Sequence, residues 1–257
     1  MEETLRQLLD ALRDKVDNLV LLEEMDSTHA LALRLIQQMD DEGFHLGPTL
    51  ILALRQSSGQ GRGNRSWSSP PGGLYLSCVR SGLDAGTVGR LPVTAAAAAC
   101  SALVGLGLDS VGIKWPNDLV AGAGKLGGVL VHARRGQPEW ATVSLGINLT
   151  ATPTLEGSAQ RPATSLADHL PTSDFTTWLT EIAVSFVGGL SEALEDPGPA
   201  LRVWKERLIH APGDALRVRL GAGSEVTGEF DGVTDEGFLR LACADGERII
   251  SSGDILE

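Results

Sequence analysis

The sequence predicts an α+β protein with a large first domain and a small all-β second domain. Over residues 1–210, helical and extended patterns alternate without an internal repeat. From Ala211 onward only short extended segments remain, each bounded by Gly or Asp turns. The secondary-structure pattern changes at Ala211-Pro212-Gly213, so we expect one domain at residues 1–210 and a second at residues 211–257.

Five helical patterns are expected in the first domain, because apolar residues recur there every three or four positions. They cover residues 1–16, 28–39, 87–106, 174–195 and 198–209. The apolar face of the first helix consists of Leu5, Leu8, Leu9, Leu12 and Val16. Ser27 or Thr28 is a suitable N-cap for the second helix, and Pro197 and Pro199 precede or open the last one.

Extended patterns in the first domain are rich in β-branched and apolar residues. They cover residues 18–25, 49–56, 73–80, 111–120, 125–135 and 140–149. The strand at 111–120 ends in a Pro-Asn-Asp turn, the last two strands form an antiparallel pair across residues 136–139, and residues 151–164 form a polar loop. In the second domain, four segments predict a small barrel or meander: residues 215–220, 225–233, 237–243 and 247–255.

Composition limits the partners and the compartment. A chain of 257 residues, 42% of them apolar, can bury a substantial core. Its formal net charge of −12, without a Lys/Arg-rich run, opposes binding to nucleic acid. Cys78, Cys100 and Cys243 form no CxxC pair, which favours buried reduced thiols. The N-terminus does not read as a signal peptide, and the apolar stretch 93–108 is too short for a membrane span, so we expect a cytoplasmic protein without a membrane partner.

Residues 57–73, SSGQGRGNRSWSSPPGG, carry the first cluster of chemically capable side chains. Glycines in such a loop expose backbone N–H groups that can cradle an anion. Arg62 and Arg65 offer planar donors for carboxylate or phosphate, and Trp67 offers a flat face for a base. The segment matches neither the Walker A pattern nor GxGxxG before a helix, so by itself an ordinary surface loop is the favoured interpretation and the functional signal is weak.

Residues 114–131 carry the second cluster. Lys114, Asn117 and Asp118 crowd a turn, and Lys125 precedes two glycines. Asp118 could orient a metal ion. Lys125 could offset the repulsion between an attacking carboxylate and the phosphate that the carboxylate attacks. A hairpin with a capped turn is the structural alternative.

Five ordered segments, MDSTH, SSGQGRGNRSW, KWPNDLV, GKLGGVLV and LGINL, resemble the catalytic domain of the biotin protein ligase family from about Leu21 onward. The resemblance implies a class II synthetase-like domain, in which helices flank a mixed, largely antiparallel sheet, and a C-terminal SH3-like β-barrel. It implies a ligase that uses ATP and Mg²⁺ to form biotinyl-5′-AMP and transfers biotin to a lysine of a carrier. That carrier is a biotin carboxyl carrier protein, or a domain of acetyl-CoA carboxylase or another biotin-dependent carboxylase.

The resemblance also implies residue roles. The biotin contacts are Ser27, Thr28, Gln56, Gly59, Arg62, Lys125 and Gly128. The ATP contacts are Arg65, Trp67, Lys114, Asn117 and Asn148. Lys125, Arg62 and Asp118 are the catalytic candidates, with Asp118 also the candidate Mg²⁺ ligand. Three residues depart from the family pattern: Gln60 for a second arginine, His29 for asparagine and His132 for glutamate.

Two other functions stay open at this point. One is a lipoate or octanoate transferase or ligase of the same superfamily, which the biotin-type segments KWPND and GRGNRSW disfavour. The other is a biotin-responsive DNA-binding repressor, which is disfavoured because about twenty residues precede the first motif, enough for one helix. We therefore expect the short form of the ligase, without an N-terminal DNA-binding domain, as a monomer or a homodimer.

Overall fold

The computed structural model describes residues 2–44, 46–134, 139–153, 161–171 and 174–256. The helices are α1 Glu2–Leu12, α2 Thr28–Glu42, α3 Ala85–Gly105, α4 Phe175–Glu195 and α5 Pro197–Arg207. The strands of the first sheet are β1 Asn18–Leu22, β2 Thr49–Ala53, β3 Gly73–Leu83, β4 Gly112–Lys114, β5 Asp118–Ala121, β6 Gly124–Arg134 and β7 Glu139–Asn148. The strands of the second sheet are β8 Ala215–Arg219, β9 Glu225–Val233, β10 Leu239–Cys243, β11 Gly246–Ile250 and β12 Asp254–Leu256.

The first sheet is mixed and largely antiparallel, as predicted. Its strand order is β1-β2-β3-β7-β6-β5-β4, and β1 with β2 is its parallel pair. The predicted hairpin of β6 and β7 is confirmed by their antiparallel ladder, whereas its turn lies largely outside the described residues. Residues 154–160 of the predicted polar loop also lie outside them. The long strands β3, β7 and β6 thus form the centre of the sheet.

Helices cover both faces of this sheet. Every residue of β2 is buried: Leu50 and Leu52 join the main core, and Ile51 packs with Ile36 and Trp140 beneath α2. The Ser27 side chain caps α2 by accepting from Ala30 N at 3.3 Å. The sheet is therefore the middle layer of the first domain.

Helix α3 is the central helix of the main core. It is long and apolar enough to cross a membrane by length and composition alone, but its middle, from Leu91 to Leu103, is almost entirely buried in this protein. Its alanines allow close packing: a Cβ added at Gly189 of α4 would lie 3.3 Å from Ala98. We therefore assign α3 as a core helix.

The second sheet is fully antiparallel, with the order β11-β10-β9-β8-β12. Its alternating apolar residues, Val218 and Phe230 among them, join the main core. The indole N–H of Trp115 donates to Gly237 O at 2.9 Å, which ties the two sheets together. No ladder joins β11 to β12 within the described residues, so the expected barrel is an open sheet there. The boundary at residue 210 stays a prediction.

Three local predictions were wrong. Residues 111–120 form two antiparallel strands, β4 and β5, because the chain reverses between Lys114 and Asp118. Residues 247–255 also divide into two strands, and the resulting β11 and β12 lie at opposite edges of the second sheet. Leu9 is 47% exposed, because the buried stripe of α1 passes through Leu8 and Leu12. Cys78 and Cys100 are buried free thiols as predicted, while Cys243 is half-buried.

Candidate active site

One cavity of about 210 Å³ collects the predicted site residues. Its walls come from the loop after β2, the turn between β4 and β5, the central strands β6 and β7, and the last strand, β12. Of the predicted residues, the following line it: Ser27, Thr28, Gln56, Arg62, Arg65, Trp67, Lys114, Asn117, Asp118, Lys125, Gly128 and Asn148. Gly59 does not.

Gly59 has a steric role at the base of the loop, and its predicted contact with biotin stays a prediction. A Cβ at this position would lie 2.3 Å from the carbonyl oxygen of Trp67 and 2.4 Å from Ser69 Oγ. Trp67 N donates to Gly59 O at 2.9 Å, so the two ends of the loop touch here. Only glycine permits this close approach.

The cavity is strongly cationic although the protein is acidic. Among the described residues, six cationic side chains and two carboxylates line it. The cations are Arg62, Arg65, Lys114, Lys125, Arg161 and Arg219, and the carboxylates are Asp118 and Asp254. Because the whole chain carries a net charge of −12, this local excess of positive charge marks a site for an anion with several charges. Arg161, Arg219 and Asp254 carried no sequence motif and were missed.

Strand β7 supplies the floor of the cavity, mainly through alternate residues, although Leu145 between them also lines it. Ser144, Gly146 and Asn148 all line it, as the period of two in a strand requires. A Cβ at Gly146 would lie 2.7 Å from Trp67 Nε1, so this glycine makes room for the indole. Ser144 and Gly146 were not predicted, although their spacing from Asn148 is a signal that could have found them.

A β-bulge brings two predicted residues to the same face. Lys125 and Gly128 are three positions apart and would face opposite sides of a regular strand. The β5–β6 ladder shifts register between Leu119 and Val120, which pair with Gly127 and Lys125 respectively. The extra residue, Leu126, is fully buried in the core. Lys125 and Gly128 therefore both reach the cavity.

Lys125 is held between a carboxylate and an aromatic ring. Its Nζ lies 2.8 Å from Asp118 Oδ1 and 5.4 Å from the centre of the Trp67 ring. Its backbone N donates to Pro162 O at 2.7 Å, and its carbonyl accepts from Thr164 N at 3.0 Å. These contacts fix the lysine in the cavity beside the predicted metal ligand.

The two loop arginines contact the second sheet. Arg62 donates to the Asp254 carboxylate and to Gly253 O, and Arg65 Nη2 lies 3.1 Å from Asp254 Oδ1. Burial alone would raise the pKa of Asp254, but the hydrogen bonds and charges of the two arginines lower it below its ordinary value. Strand β12 thus holds the loop of Arg62 and Arg65 at the edge of the cavity.

The two predicted asparagines line the cavity but also bond to the backbone. Asn148 Nδ2 donates to Thr164 O at 2.9 Å, and the Asn117 amide donates to Val129 O. Both side chains are nearly buried. These bonds hold the neighbouring segments in place, so each amide nitrogen has a structural partner in addition to its predicted role toward ATP.

A row of polar side chains forms the opposite end of the cavity. Gln56 Oε1 accepts from Thr28 N at 2.8 Å and from Thr28 Oγ1 at 3.1 Å. Ser144 Oγ lies 2.8 Å from His29 Nδ1. Burial first, and then the charge of His132, lower the pKa of His29 to about 4, so its ring is neutral at pH 7. This end of the cavity is neutral and rich in hydrogen-bonding groups.

The donor set fits a metal ion only when a substrate supplies ligands. The described residues contain no group of three or more His, Cys, Asp or Glu side chains suited to hold one. Asp118 is a single carboxylate, and one of its oxygens pairs with Lys125. Mg²⁺ commonly takes one or two carboxylates together with phosphate oxygens. Asp118 therefore fits an ion that arrives with a nucleotide.

Comparison with known proteins decides the family. A model of the biotin/lipoate A/B protein ligase family matches residues 25–149, and a model of the biotin protein ligase C-terminal domain matches residues 216–256. The bifunctional ligase/repressor BirA of Salmonella typhimurium is 30% identical over 249 residues, which cover 91% of this chain and 74% of that protein. The chain belongs to the biotin protein ligase family.

Other members of the biotin protein ligase family match along nearly their whole length. A biotin–[acetyl-CoA-carboxylase] ligase of Paracoccus denitrificans is 29% identical over 246 residues, covering 91% of this chain and 98% of that protein. The structure of the Aquifex aeolicus biotin protein ligase with biotin and ATP shares the fold, with a TM-score of 0.70, 24% identity, and 93% and 97% coverage of the two chains. Both family segments meet at the cavity, where residues 216–256 contribute Arg219 and Asp254. The predicted family and fold class are confirmed.

Proposed function

We infer that this protein is a biotin protein ligase that joins biotin and ATP into biotinyl-5′-AMP and then passes biotin to a lysine of a carrier protein. One observation carries the inference: a single cavity combines a neutral, hydrogen-bonding end with an end crowded by cations around Trp67. The first end suits a cyclic urea, which has N–H donors and a carbonyl acceptor. The second suits a triphosphate and an aromatic base.

In the first step, an oxygen of the biotin carboxylate attacks the α-phosphorus of ATP, and pyrophosphate leaves. Both reactants are anions, so cations must offset their repulsion. Lys125 lies in the cavity beside Trp67, and Arg62 and Arg65 lie at its edge. We propose that Lys125 contacts the two reacting anions, and that Asp118 then helps to hold the Mg²⁺ that supplies further positive charge on the phosphates.

In the second step, the amine of a carrier lysine attacks the acyl carbon of the adenylate, and AMP leaves. The mixed anhydride must not meet water or other amines before this attack. The loop with Arg62 and Arg65 borders the cavity, and its contact with Asp254 shows where it can be held. We propose that it retains the adenylate until the carrier arrives. The carrier is a biotin carboxyl carrier protein or domain, as in acetyl-CoA carboxylase.

A lipoate or octanoate ligase fits the site less well. Those acyl groups end in an apolar head, which would give no N–H donor to the oxygen lone pairs that Thr28 and Ser144 turn toward the cavity. Unpaired polar groups in a closed site cost binding energy, which favours the ligand with matching N–H and C=O groups. The polar end of the cavity therefore favours biotin.

We further propose that the protein is cytoplasmic, that it is a monomer or a homodimer, and that it binds neither nucleic acid nor membrane. The net charge of −12 supports the absence of DNA binding, since a phosphate backbone repels it. A gel shift with operator-like DNA tests this part. Salt-sensitive, sequence-specific retardation would support the repressor alternative.

The ligase function is tested by ATP–pyrophosphate exchange with biotin, lipoate or octanoate as the acid. We expect exchange with biotin only, and its loss in Lys125→Ala. Lys15→Ala is the matched control, because Lys15 is an exposed lysine that does not line the cavity. Exchange that depends on lipoate or octanoate instead would show that the substrate assignment is wrong.

A further inference from the structure

We propose that His29 is a positioning residue for biotin: its Nδ1–H sets the direction of a chain of hydroxyl groups, and this direction makes the polar end of the cavity an acceptor of N–H groups. The inference rests on the proposed ligase function for its ligand. The hydrogen-bond chain itself rests on geometry alone. It runs through His29, Ser144, Ser77, Thr28 and Gln56.

The Gln56 end of the chain has one possible polarity. The backbone N–H of Thr28 can only donate, and it lies 2.8 Å from the oxygen of the Gln56 amide. The amide nitrogen of Gln56 donates to Ser69 Oγ at 2.8 Å, which agrees with this orientation. Thr28 Oγ1, 3.1 Å from the same Gln56 oxygen, must therefore give its hydrogen to that oxygen.

The direction then passes along the hydroxyls, because each has a single hydrogen. Thr28 Oγ1 has used its own, so Ser77 donates to it at 2.9 Å. Ser77 then has none left for Ser144, 2.7 Å away, so Ser144 donates to Ser77. Ser144 in turn has none left for His29, 2.8 Å away, so His29 donates from Nδ1.

The imidazole must therefore be the Nδ1–H tautomer. The ring is 5% exposed, and its lowered pKa, about 4, keeps it neutral at pH 7. A neutral ring carries one N–H, which leaves Nε2 without a hydrogen. The titratable group that faces the ring is His132 of β6, with ring centres 6.1 Å apart.

The direction of these hydrogen bonds decides whether the cavity presents donors or acceptors to a ligand. Thr28 and Ser144 line the cavity, and Ser77 is fully buried between them. Since their hydrogens are committed within the chain, the two lining hydroxyls present oxygen lone pairs. A cyclic urea can donate its N–H groups to them. An acceptor at the His29 position would draw the Ser144 hydrogen away and leave Ser77 and Ser144 facing each other without one.

Two substitutions separate this role from simple packing. In His29→Asn, the side-chain nitrogen takes the place of Nδ1 and keeps a donor toward Ser144. In His29→Leu, a side chain of similar reach has no donor. We expect the KM for biotin to rise roughly tenfold in His29→Leu, with kcat and the KM for ATP little changed, and to recover in His29→Asn. Equal defects in the two variants, or an unchanged KM in His29→Leu, would overturn the proposal.

A spectroscopic readout keeps the proposal testable if His29→Leu does not fold. The ring ¹⁵N shifts of histidine distinguish the two neutral tautomers and the charged ring. We expect one histidine of the ¹⁵N-labelled wild-type protein at pH 7 to be protonated at Nδ1 only, and its signal to vanish in His29→Asn. An Nε2–H or doubly protonated ring for this residue would overturn it. This measurement needs no turnover, so it can fail or succeed independently of the ligase function.

Discussion

Asp254→Asn should loosen the loop that carries Arg62 and Arg65. Asp254 belongs to strand β12 of the second sheet, yet it contacts both loop arginines. Hydrogen bonds to charged groups contribute about 1.5–3 kcal/mol when they are well buried. Here the side chains of Asp254 and Arg62 are 37% and 28% exposed, so solvent screening reduces the expected contribution to about 1 kcal/mol. Such a loss raises the open fraction of the loop roughly fivefold.

Hydrogen exchange on peptides that cover residues 57–67 measures this effect. We expect about fivefold faster exchange in Asp254→Asn than in wild type without ligands. Asp235→Asn is the matched control, since it breaks another Asp pair, that of Asp235 with Lys205 at 2.9 Å, in which the Asp235 side chain is 92% exposed. Unchanged exchange in Asp254→Asn, or an equal acceleration in Asp235→Asn, would refute the role given to β12.

Three further predictions concern other parts of the site. Lys125→Ala should suppress pyrophosphate exchange roughly a hundredfold. Arg62→Ala should instead raise the biotin labelling of albumin, a bystander protein, relative to the exchange rate of the same variant. An identical ratio of albumin labelling to exchange in the two variants would contradict this division of roles. Gly59→Ala should raise the KM for biotin while Gly89→Ala, which meets nothing within 4 Å, should not; equal effects would exclude the steric role. The pKa of His29 in the folded protein, about 4, lies below its ordinary value, so the free energy of unfolding should fall as the pH drops from 6.5 toward 4. Denaturant unfolding at pH 7 and pH 5 should show a smaller fall in His29→Asn than in wild type. An equal fall in the two proteins would show that His29 titrates normally.

Local patterns predicted most of the elements and the two clusters of cationic side chains, and the family resemblance supplied the other candidate residues. The period of two in β6 and β7 and the cap at Ser27 are local signals, and the structure confirms both. Lys125 and Arg62 stood out because cations beside glycines are recognisable within a short segment.

The features that could not be predicted from the sequence depend on contacts between segments that are distant in the sequence. Asp254 contacts Arg62, which is 192 residues away in the sequence, and no local pattern in the last strand predicts that contact. The bulge at Leu126 is visible only in the register of two strands. The hydroxyl chain likewise needs Thr28, Ser77 and Ser144 from three elements. The close approach of Gly59 to Trp67 and Ser69 is likewise a contact that no short segment shows by itself.

The central claim is that this cavity makes biotinyl-5′-AMP and delivers its biotin to a carrier lysine. Intact-mass spectrometry of a biotin carrier domain, incubated with the protein, ATP, Mg²⁺ and biotin, tests it directly. We predict that one biotin is attached to a single lysine, that lipoate in place of biotin gives no adduct, and that Lys125→Ala reduces the initial rate roughly a hundredfold. No biotin adduct with well-folded protein, or an undiminished rate in Lys125→Ala, would contradict the account.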